Sequence, residues 1–189
     1  MTQTPDLRAA LIDAGLAILE ERGLAALTLR ACAARAGVSH AAPAHHFAGL
    51  PGLRAAIAAI GFRRFAAEML AERARAGEEP RARLVAICRG YLTFAERHPG
   101  LFHLIFNSSL PMADDPELSE AGDAAFEVLR EGCAPFAPVG DTAMSTEAFV
   151  WSLIHGRATL GLACRFGEPE PHRPEPPDLA AMLGILTLR

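Results

Sequence analysis

Residues 28 to 47 read TLRACAARAGVSHAAPAHHF, and they predict two short helices joined by a tight turn. Thr28 is a favourable N-cap for a helix over Leu29 to Ala36, because its hydroxyl can accept a hydrogen bond from a free backbone amide. Gly37 suits the end of that helix, since glycine adopts the left-handed conformation without steric cost. A second short helix is expected over His40 to His46.

Longer helical patterns flank this pair. The preceding helix is expected to begin at Thr4 and Pro5, a favourable N-cap and first helical residue, and to end at Gly23. The following one runs from about Gly49 to Arg75. Two short helices with a glycine turn, the second capped by Ser39, are typical of a helix-turn-helix, whose second helix enters the major groove of DNA. Many all-α proteins contain such a turn, so the spacing alone leaves other helical proteins open.

The composition favours an all-α fold. Of the 189 residues 51% are hydrophobic and only 6% are aromatic, alanine occurs throughout, and runs of β-branched residues are almost absent. Apolar spacing and breaker residues predict further helices downstream. They cover about Arg81 to Arg97, a short apolar stretch GLFHLIF after His98-Pro99, residues 117 to 133, about Thr142 to Arg165, and a last helix with Leu179, Met182, Leu183 and Leu186 on one face.

The charge is unevenly distributed. Residues 1 to 65 hold seven Arg and four acidic residues, giving +3, while residues 66 to 189 hold eleven Arg and eighteen acidic residues, giving −7. The N-terminal third can therefore meet an acidic partner although the net charge is −4.

The cysteines are expected to be buried free thiols in a cytoplasmic protein. Cys32, Cys88, Cys133 and Cys164 lie far apart in apolar helical contexts and form no CxxC pair. Neither a signal peptide nor an apolar stretch long enough for a membrane span is recognised.

The helix over Thr142 to Arg165 is apolar nearly all round, which predicts that it is covered on all sides. One covering surface can be another subunit, and Gly156 and Gly161 would permit close approach of backbones. The segment Gly167 to Asp178 holds five prolines and is expected to be neither helix nor strand.

The stretch LIDAGLAILEERGLAALTLRACAARAGVSHAAPAHHF resembles the DNA-binding domain of TetR-family transcriptional repressors. The resemblance covers about Leu7 to Phe62. It rests on a helix ending in ERG, a threonine-capped helix, an AGVS turn and a recognition helix closing with His-Phe. GVSHAAP, together with Trp151, His155 and Gly156 in WSLIHG, is similar to the subset with a Trp-His-Gly signature in its C-terminal domain.

The resemblance implies a homodimer that reads palindromic DNA and is released from it by a small-molecule effector. It implies a helix-turn-helix DNA-binding domain over residues 1–50 and a ligand-binding and dimerisation domain over 51–189. The helices around Trp151 and Leu183 would form a four-helix dimer interface. No cofactor is implied.

Site residues also follow from the resemblance. Thr28 would contact a phosphate, and Phe47 would anchor the recognition helix in the core. The remaining candidates at the DNA are Ser39, His40, Ala42, His45 and His46, with His46 near the backbone. The candidates for the effector pocket rest instead on the general rule that such pockets are apolar with a few convergent polar groups, and they are Tyr91, Phe102, His103, Phe106, Trp151, His155 and Arg157.

Two positions depart from the family pattern. Ala44 stands where relatives usually have a tyrosine, and Leu50 where they usually have a lysine, both phosphate contacts in relatives. These losses should weaken DNA binding, by about one unit of salt slope for the lysine. An alternative is therefore a TetR-like dimer that binds a small molecule or protein partner with weak or lost DNA binding.

Other functions are weighed against this one. His40, His45 and His46 are spaced five, six and one apart, which does not fit the i, i+3 or i, i+4 pairs of helical metal sites, and solvent-exposed histidines without function are a further reading. His155 can be a core or interface histidine rather than a pocket residue. An enzyme is not expected, because GxSxG, HExxH, P-loop and ExxH motifs are not found.

Overall fold

In the computed structural model, residues 6–139, 145–164 and 174–189 are described, and they are almost entirely helical. The predicted all-α class is confirmed. None of the helices in these ranges is both long and apolar enough to cross a membrane. Two 3-10 helices are η1 (Leu24–Ala26) and η2 (Ala42–His45), and the α-helices are α1 (Leu7–Arg22), α2 (Leu29–Arg35), α3 (Gly49–Arg75), α4 (Pro80–Arg97), α5 (Pro99–Asn107), α6 (Pro116–Cys133), α7 (Ser145–Leu162) and α8 (Leu179–Met182).

The first helix begins later than its sequence suggested. Asp6 is the N-cap of α1, and its carboxylate accepts hydrogen bonds from the amides of Arg8 and Ala9 at 3.0 and 3.4 Å. The expected starting residues Thr4 and Pro5 lie outside the described residues.

One compact unit comprises Met1–Arg63 and His98–Gly122. Within it, α1 packs against α2 and α5. Its core is mainly aliphatic, with Phe102 also buried, and its aliphatic side chains come from these helices and from the start of α3. They include Leu11, Leu19, Leu27, Leu53, Ile57 and Leu101.

The other compact unit comprises Arg64–Arg97 and Asp123–Arg189. Within it, α4 packs against α7 and α8. Gly90 permits close approach of α4 to residues of α3, because a Cβ atom there would lie 2.6 Å from Met69 Cα and 2.7 Å from the Glu68 carbonyl oxygen. The core of this unit is richer in aromatic side chains, with Phe94 and Phe136 fully buried.

The last helix is much shorter than predicted. It ends at Met182, and Leu186 is buried without being helical. The guanidinium of Arg81 donates hydrogen bonds to the carbonyl oxygens of Leu183 and Leu186. Its N–H groups take the place of the backbone amides that a continuing helix would supply. Beyond this turn, Leu188 forms an antiparallel bridge with Phe136.

Within the described chain, helix α7 is only partly covered, and the prediction that another subunit covers the rest stays a prediction. Trp151, Leu160 and Leu162 are 40%, 45% and 38% exposed, while Val150 and Ile154 are buried. Some apolar side chains of this helix are therefore buried and others are exposed. The ends of the predicted range, at Thr142 and Arg165, lie outside the described residues.

Two further predictions concern the chain around the end of α7. Cys32, Cys88 and Cys133 are buried as expected, but Cys164 is exposed, because it lies beyond the last turn of α7. Of the proline-rich segment, residues 174–178 are neither helix nor strand, as predicted, and the rest lies outside the described residues.

Candidate functional site

The turn after α2 is closed by local backbone hydrogen bonds. At the start of α2, the Thr28 hydroxyl accepts a hydrogen bond from the Ala31 amide at 3.1 Å, as the sequence predicts. At the end of α2, the Val38 amide donates to the Ala33 carbonyl at 3.0 Å and the Gly37 amide to the Ala34 carbonyl at 3.3 Å. This pair of bonds is a Schellman motif, which requires the left-handed conformation that Gly37 adopts at φ +70°. The direction of the chain after α2 is therefore fixed locally.

The second segment of the motif is a 3-10 helix, not the α-helix expected over His40 to His46. The prediction that Ser39 caps an α-helix is wrong, since no side-chain hydrogen bond caps this element. The segment is held by i→i+3 bonds, from Ala42 to Ser39 and from Ala44 to Ala41. Pro43 explains the difference, because it has no amide to donate to Ser39 as an α-helix requires.

This segment buries one side and exposes the other. Pro43 is buried, and Phe47 is only 8% exposed, which agrees with its expected role as an anchor. Ala42 is half-buried. Of the predicted DNA contacts, Thr28, Ser39, His40, His45 and His46 are all exposed.

The arginines around the motif differ in their availability. Arg35 is engaged by Glu21 through two hydrogen bonds of 2.6 Å, which lower the pKa of the Glu21 carboxyl. Arg8 lies over the Phe47 ring at 5.7 Å and bonds Glu117. Arg30 is exposed, and no acidic side chain pairs with it among the described residues. Sequence reasoning missed Arg30, although its place two residues after Thr28 was a usable signal.

The two departures from the family pattern lie where a contact could be restored. Ala44 is exposed beside His45, and Leu50 is half-buried in the first turn of α3. The three histidines do not converge on a metal site, since no cluster of three potential ligands exists in the part of the chain that the structure describes.

Three of the predicted effector residues meet in the second unit. The Tyr91 hydroxyl lies 2.8 Å from Nδ1 of His155. Burial raises the pKa of Tyr91, and the neighbouring Trp151 partly opposes that rise. Which of Tyr91 and His155 donates in their hydrogen bond is set by the tautomer of the imidazole. Burial also lowers the pKa of His155, which favours the neutral imidazole.

The remaining effector candidates lie elsewhere. Phe102 is buried in α5 and its ring lies 4.9 Å from that of Phe106, which is half-buried. His103, on the same helix, is exposed. These three belong to the first compact unit, so the predicted set is divided between the two units. Arg157, in the second, donates to the Met182 sulfur at 3.9 Å.

The exposed face of α7 is apolar and has room beside its glycines. Trp151 stacks at a tilt against Phe126 of α6, with ring centroids 6.0 Å apart, and both remain about 40% exposed. A Cβ atom at Gly156 would meet no atom within 4 Å. Large exposed apolar side chains such as Trp151 and Phe126 are found at protein–protein interfaces.

Comparison with known proteins agrees with this geometry. Residues 11–57 match the family described as bacterial regulatory proteins of the tetR family, and residues 84–183 match the tetracyclin repressor-like C-terminal domain. No match was found among curated proteins.

Solved structures share the fold. A Rhodococcus sp. RHA1 protein of unknown function is 27% identical, with a TM-score of 0.72 over 97% of this chain and 92% of that one. The multidrug binding protein EbrR, complexed with imidazole, is 20% identical, with a TM-score of 0.66 over 98% of both chains. A TetR family transcription regulator from Marinobacter aquaeolei VT8 is 16% identical, with a TM-score of 0.63 over 96% of both. With both family models matched in order along its length, this chain belongs to the TetR family of transcriptional regulators.

Proposed function

We propose that this chain is a repressor that binds palindromic operator DNA as a homodimer and releases it when a small apolar effector binds. The observation that carries the proposal is the fixed turn at Gly37, which presents exposed His40 and His45 while Pro43 and Phe47 hold the segment on the domain. A DNA reader needs this combination of a rigid scaffold and a polar exposed face.

Each exposed residue has a role in this proposal. Thr28 and Arg30 contact phosphates. Ser39, His40, Ala42 and His45 face the major groove, and His46 lies near the DNA backbone. A neutral histidine can hydrogen-bond a base edge, and its protonated form strengthens a phosphate contact.

Dimerisation uses exposed apolar side chains of α7, among them Trp151 and Leu160. The four-residue α8 cannot supply a full helix to a four-helix interface, and Leu183 is itself buried. The last segment would instead contribute Ile185 and Leu188, which are 59% and 51% exposed. The dimer would place two helix-turn-helix units about 34 Å apart, one DNA turn.

The effector acts by population shift. It binds in the ligand-binding and dimerisation domain, over 51–189, and favours a dimer whose DNA-binding domains, over 1–50, no longer match the spacing of the operator. It can shift this equilibrium only by its differential affinity for the two states. The regulator acts in the cytoplasm, where the DNA of a bacterium lies.

The alternative is a helical dimer of the same fold that binds a small molecule or protein partner with weak or lost DNA binding. Ala44 and Leu50 favour it, because neither side chain can bond a phosphate. The double variant Ala44→Tyr, Leu50→Lys distinguishes the two. It should raise affinity for DNA if the domain is a weakened reader, and should change nothing if the domain no longer reads DNA.

The test is fluorescence anisotropy of a labelled duplex from the upstream intergenic DNA, against a scrambled duplex of equal composition, over a salt series. Specific binding that survives physiological salt supports the repressor. Equal loss of binding to both duplexes as salt rises contradicts it, since only non-specific phosphate contacts behave in that way.

A further inference from the structure

A cavity of about 420 Å³ lies between α4 and α7 in the second compact unit. This volume is within the range of sites for small molecules, roughly 300–1,000 Å³. Most of its wall is apolar, from Leu92 and Ala95 of α4 and Ala158 and Leu162 of α7, and charged groups come from Arg157 and Glu96. None of the effector residues predicted from the sequence lines this cavity apart from Arg157.

Arg157 differs from several arginines of the same unit in its partner. Arg73, Arg89 and Arg97 each pair with a glutamate within 4 Å. Arg157 is half-buried, and among the described residues its guanidinium has a sulfur contact with Met182 rather than a carboxylate partner. A guanidinium favours bidentate carboxylates, and a partly buried one is screened less by salt than an exposed one.

Glu96 does not cancel this preference. Its side chain is exposed, whereas Arg157 is half-buried, so solvent screens the carboxylate more than the guanidinium. The field inside the cavity is therefore dominated by the cation, with a modest opposing contribution from Glu96.

We propose that this cavity binds an amphipathic organic anion, whose carboxylate pairs with Arg157 and whose apolar body lies against Leu92 and Ala158. The proposal deepens the proposed function by naming the chemical class of the effector. It rests on that function only for the consequence at the DNA, because binding to the cavity can be measured without DNA.

The position of the cavity connects it to the dimer face. It lies one to two turns beyond the Tyr91–His155 hydrogen bond, toward the carboxyl ends of both helices. Ala158 faces the cavity side of α7, while Leu160 lies on the exposed side of the same turn. A ligand between α4 and α7 would therefore act on the helix that carries the proposed dimer interface.

The experiment is isothermal titration calorimetry of the full chain with octanoate and with 1-octanol, its neutral counterpart. Octanoate should bind the wild type, and Arg157→Gln should weaken it about tenfold or more, the usual effect of a lost charged hydrogen bond. Arg157→Lys should retain most of the affinity, which separates loss of charge from loss of fold. Arg89→Gln, an exposed arginine of α4 outside the cavity, is the matched control and should change nothing.

A further variant tests the sign of the field. Glu96→Gln removes the opposing charge and should tighten octanoate binding about twofold, as expected for an exposed charge. The proposal is overturned if octanoate does not bind the wild type, if octanol binds equally well, or if Arg157→Gln and Arg89→Gln have equal effects. Octanoate binding through Arg157 that leaves specific DNA binding unchanged would contradict the effector role but support the anion site. Specific DNA binding without octanoate binding would support the DNA-binding function but contradict the anion site.

Discussion

The turn between α2 and η2 and the surface of α7 differ in how a single chain satisfies them. The contrast lies in the backbone hydrogen bonds of the turn and the exposed apolar side chains of α7. Thr28 caps the start of α2, and the backbone hydrogen bonds around Gly37 satisfy its end. Polar side chains after this turn face solvent. On α7 the backbone is satisfied by the helix itself, but Trp151 and Leu160 stay 40% and 45% exposed. The first region is completed within one chain, whereas apolar side chains of the second remain exposed. Both features fit the proposed dimer that reads two half-sites.

The largest effect is expected on the exposed surface of α7. Leu160→Glu places a charge in the apolar face of α7, and we expect the dimer to be weakened by about 2 kcal/mol or more, roughly 30-fold, the size of an interface hot spot. Sedimentation equilibrium measures the change. Leu70→Glu is the matched control, because Leu70 is 39% exposed on α3 of the same unit. Equal behaviour of the two variants would contradict the assignment of the dimer face.

The turn at Gly37 should be destabilised only by a substitution within the turn itself. Gly37→Val forces a β-branched residue to φ +70° and should destabilise the fold by about 1–2 kcal/mol, measured by urea unfolding. Gly77→Val is the control, since a Cβ atom at Gly77 meets nothing within 4 Å and its φ is not positive. If the two variants unfold at the same urea concentration, the turn is not held by its left-handed glycine.

A smaller effect is expected behind the face of α7. Tyr91→Phe removes the hydroxyl that hydrogen-bonds His155, and should cost about 1 kcal/mol of unfolding free energy. A double-mutant cycle with His155→Gln should give a coupling of about 0.5 kcal/mol or more. Additive losses would show that the two side chains do not act together. Trp151 is the one tryptophan of the chain, so its fluorescence reports the same change.

The smallest effect concerns pH. Burial lowers the pKa of His155 below 6.5, so the unfolded chain binds the proton more readily than the folded one. The unfolding free energy should therefore fall as pH drops below about 6.5, and the fall due to His155 should stop below its folded-state pKa. His155→Gln should show a shallower decline than the wild type in urea unfolding at pH 7.5, 6.5 and 5.5, with the other histidines common to both proteins. Parallel curves would contradict this contribution.

Features that depend on local interactions could be predicted from the sequence. The cap at Thr28 and the left-handed Gly37 depend on neighbours within five residues, so both were predictable and both are confirmed. Pro43 lacks the amide that an α-helix over His40 to His46 would need, and this too can be read from the sequence. That segment is a 3-10 helix for a local reason that the sequence contained.

Long-range contacts account for the other differences. The end of the last helix at Met182 depends on Arg81, about a hundred residues away, and no local signal marks it. Trp151 and His155 lie at i, i+4 and could be paired from the sequence, whereas their connection to Tyr91 is tertiary. The exposure of Trp151 and Leu160 was not predictable from composition, because an apolar helix can be buried by its own chain or left exposed by it.

The most direct test of the account compares the wild type with Leu160→Glu by fluorescence anisotropy on the upstream and scrambled duplexes at physiological salt. The account predicts that the wild type binds the upstream duplex at least about tenfold more tightly, and that Leu160→Glu loses this preference because it cannot hold two recognition segments together. A variant that keeps the preference as a monomer would contradict the paired reading. A wild type without any preference would contradict operator binding itself.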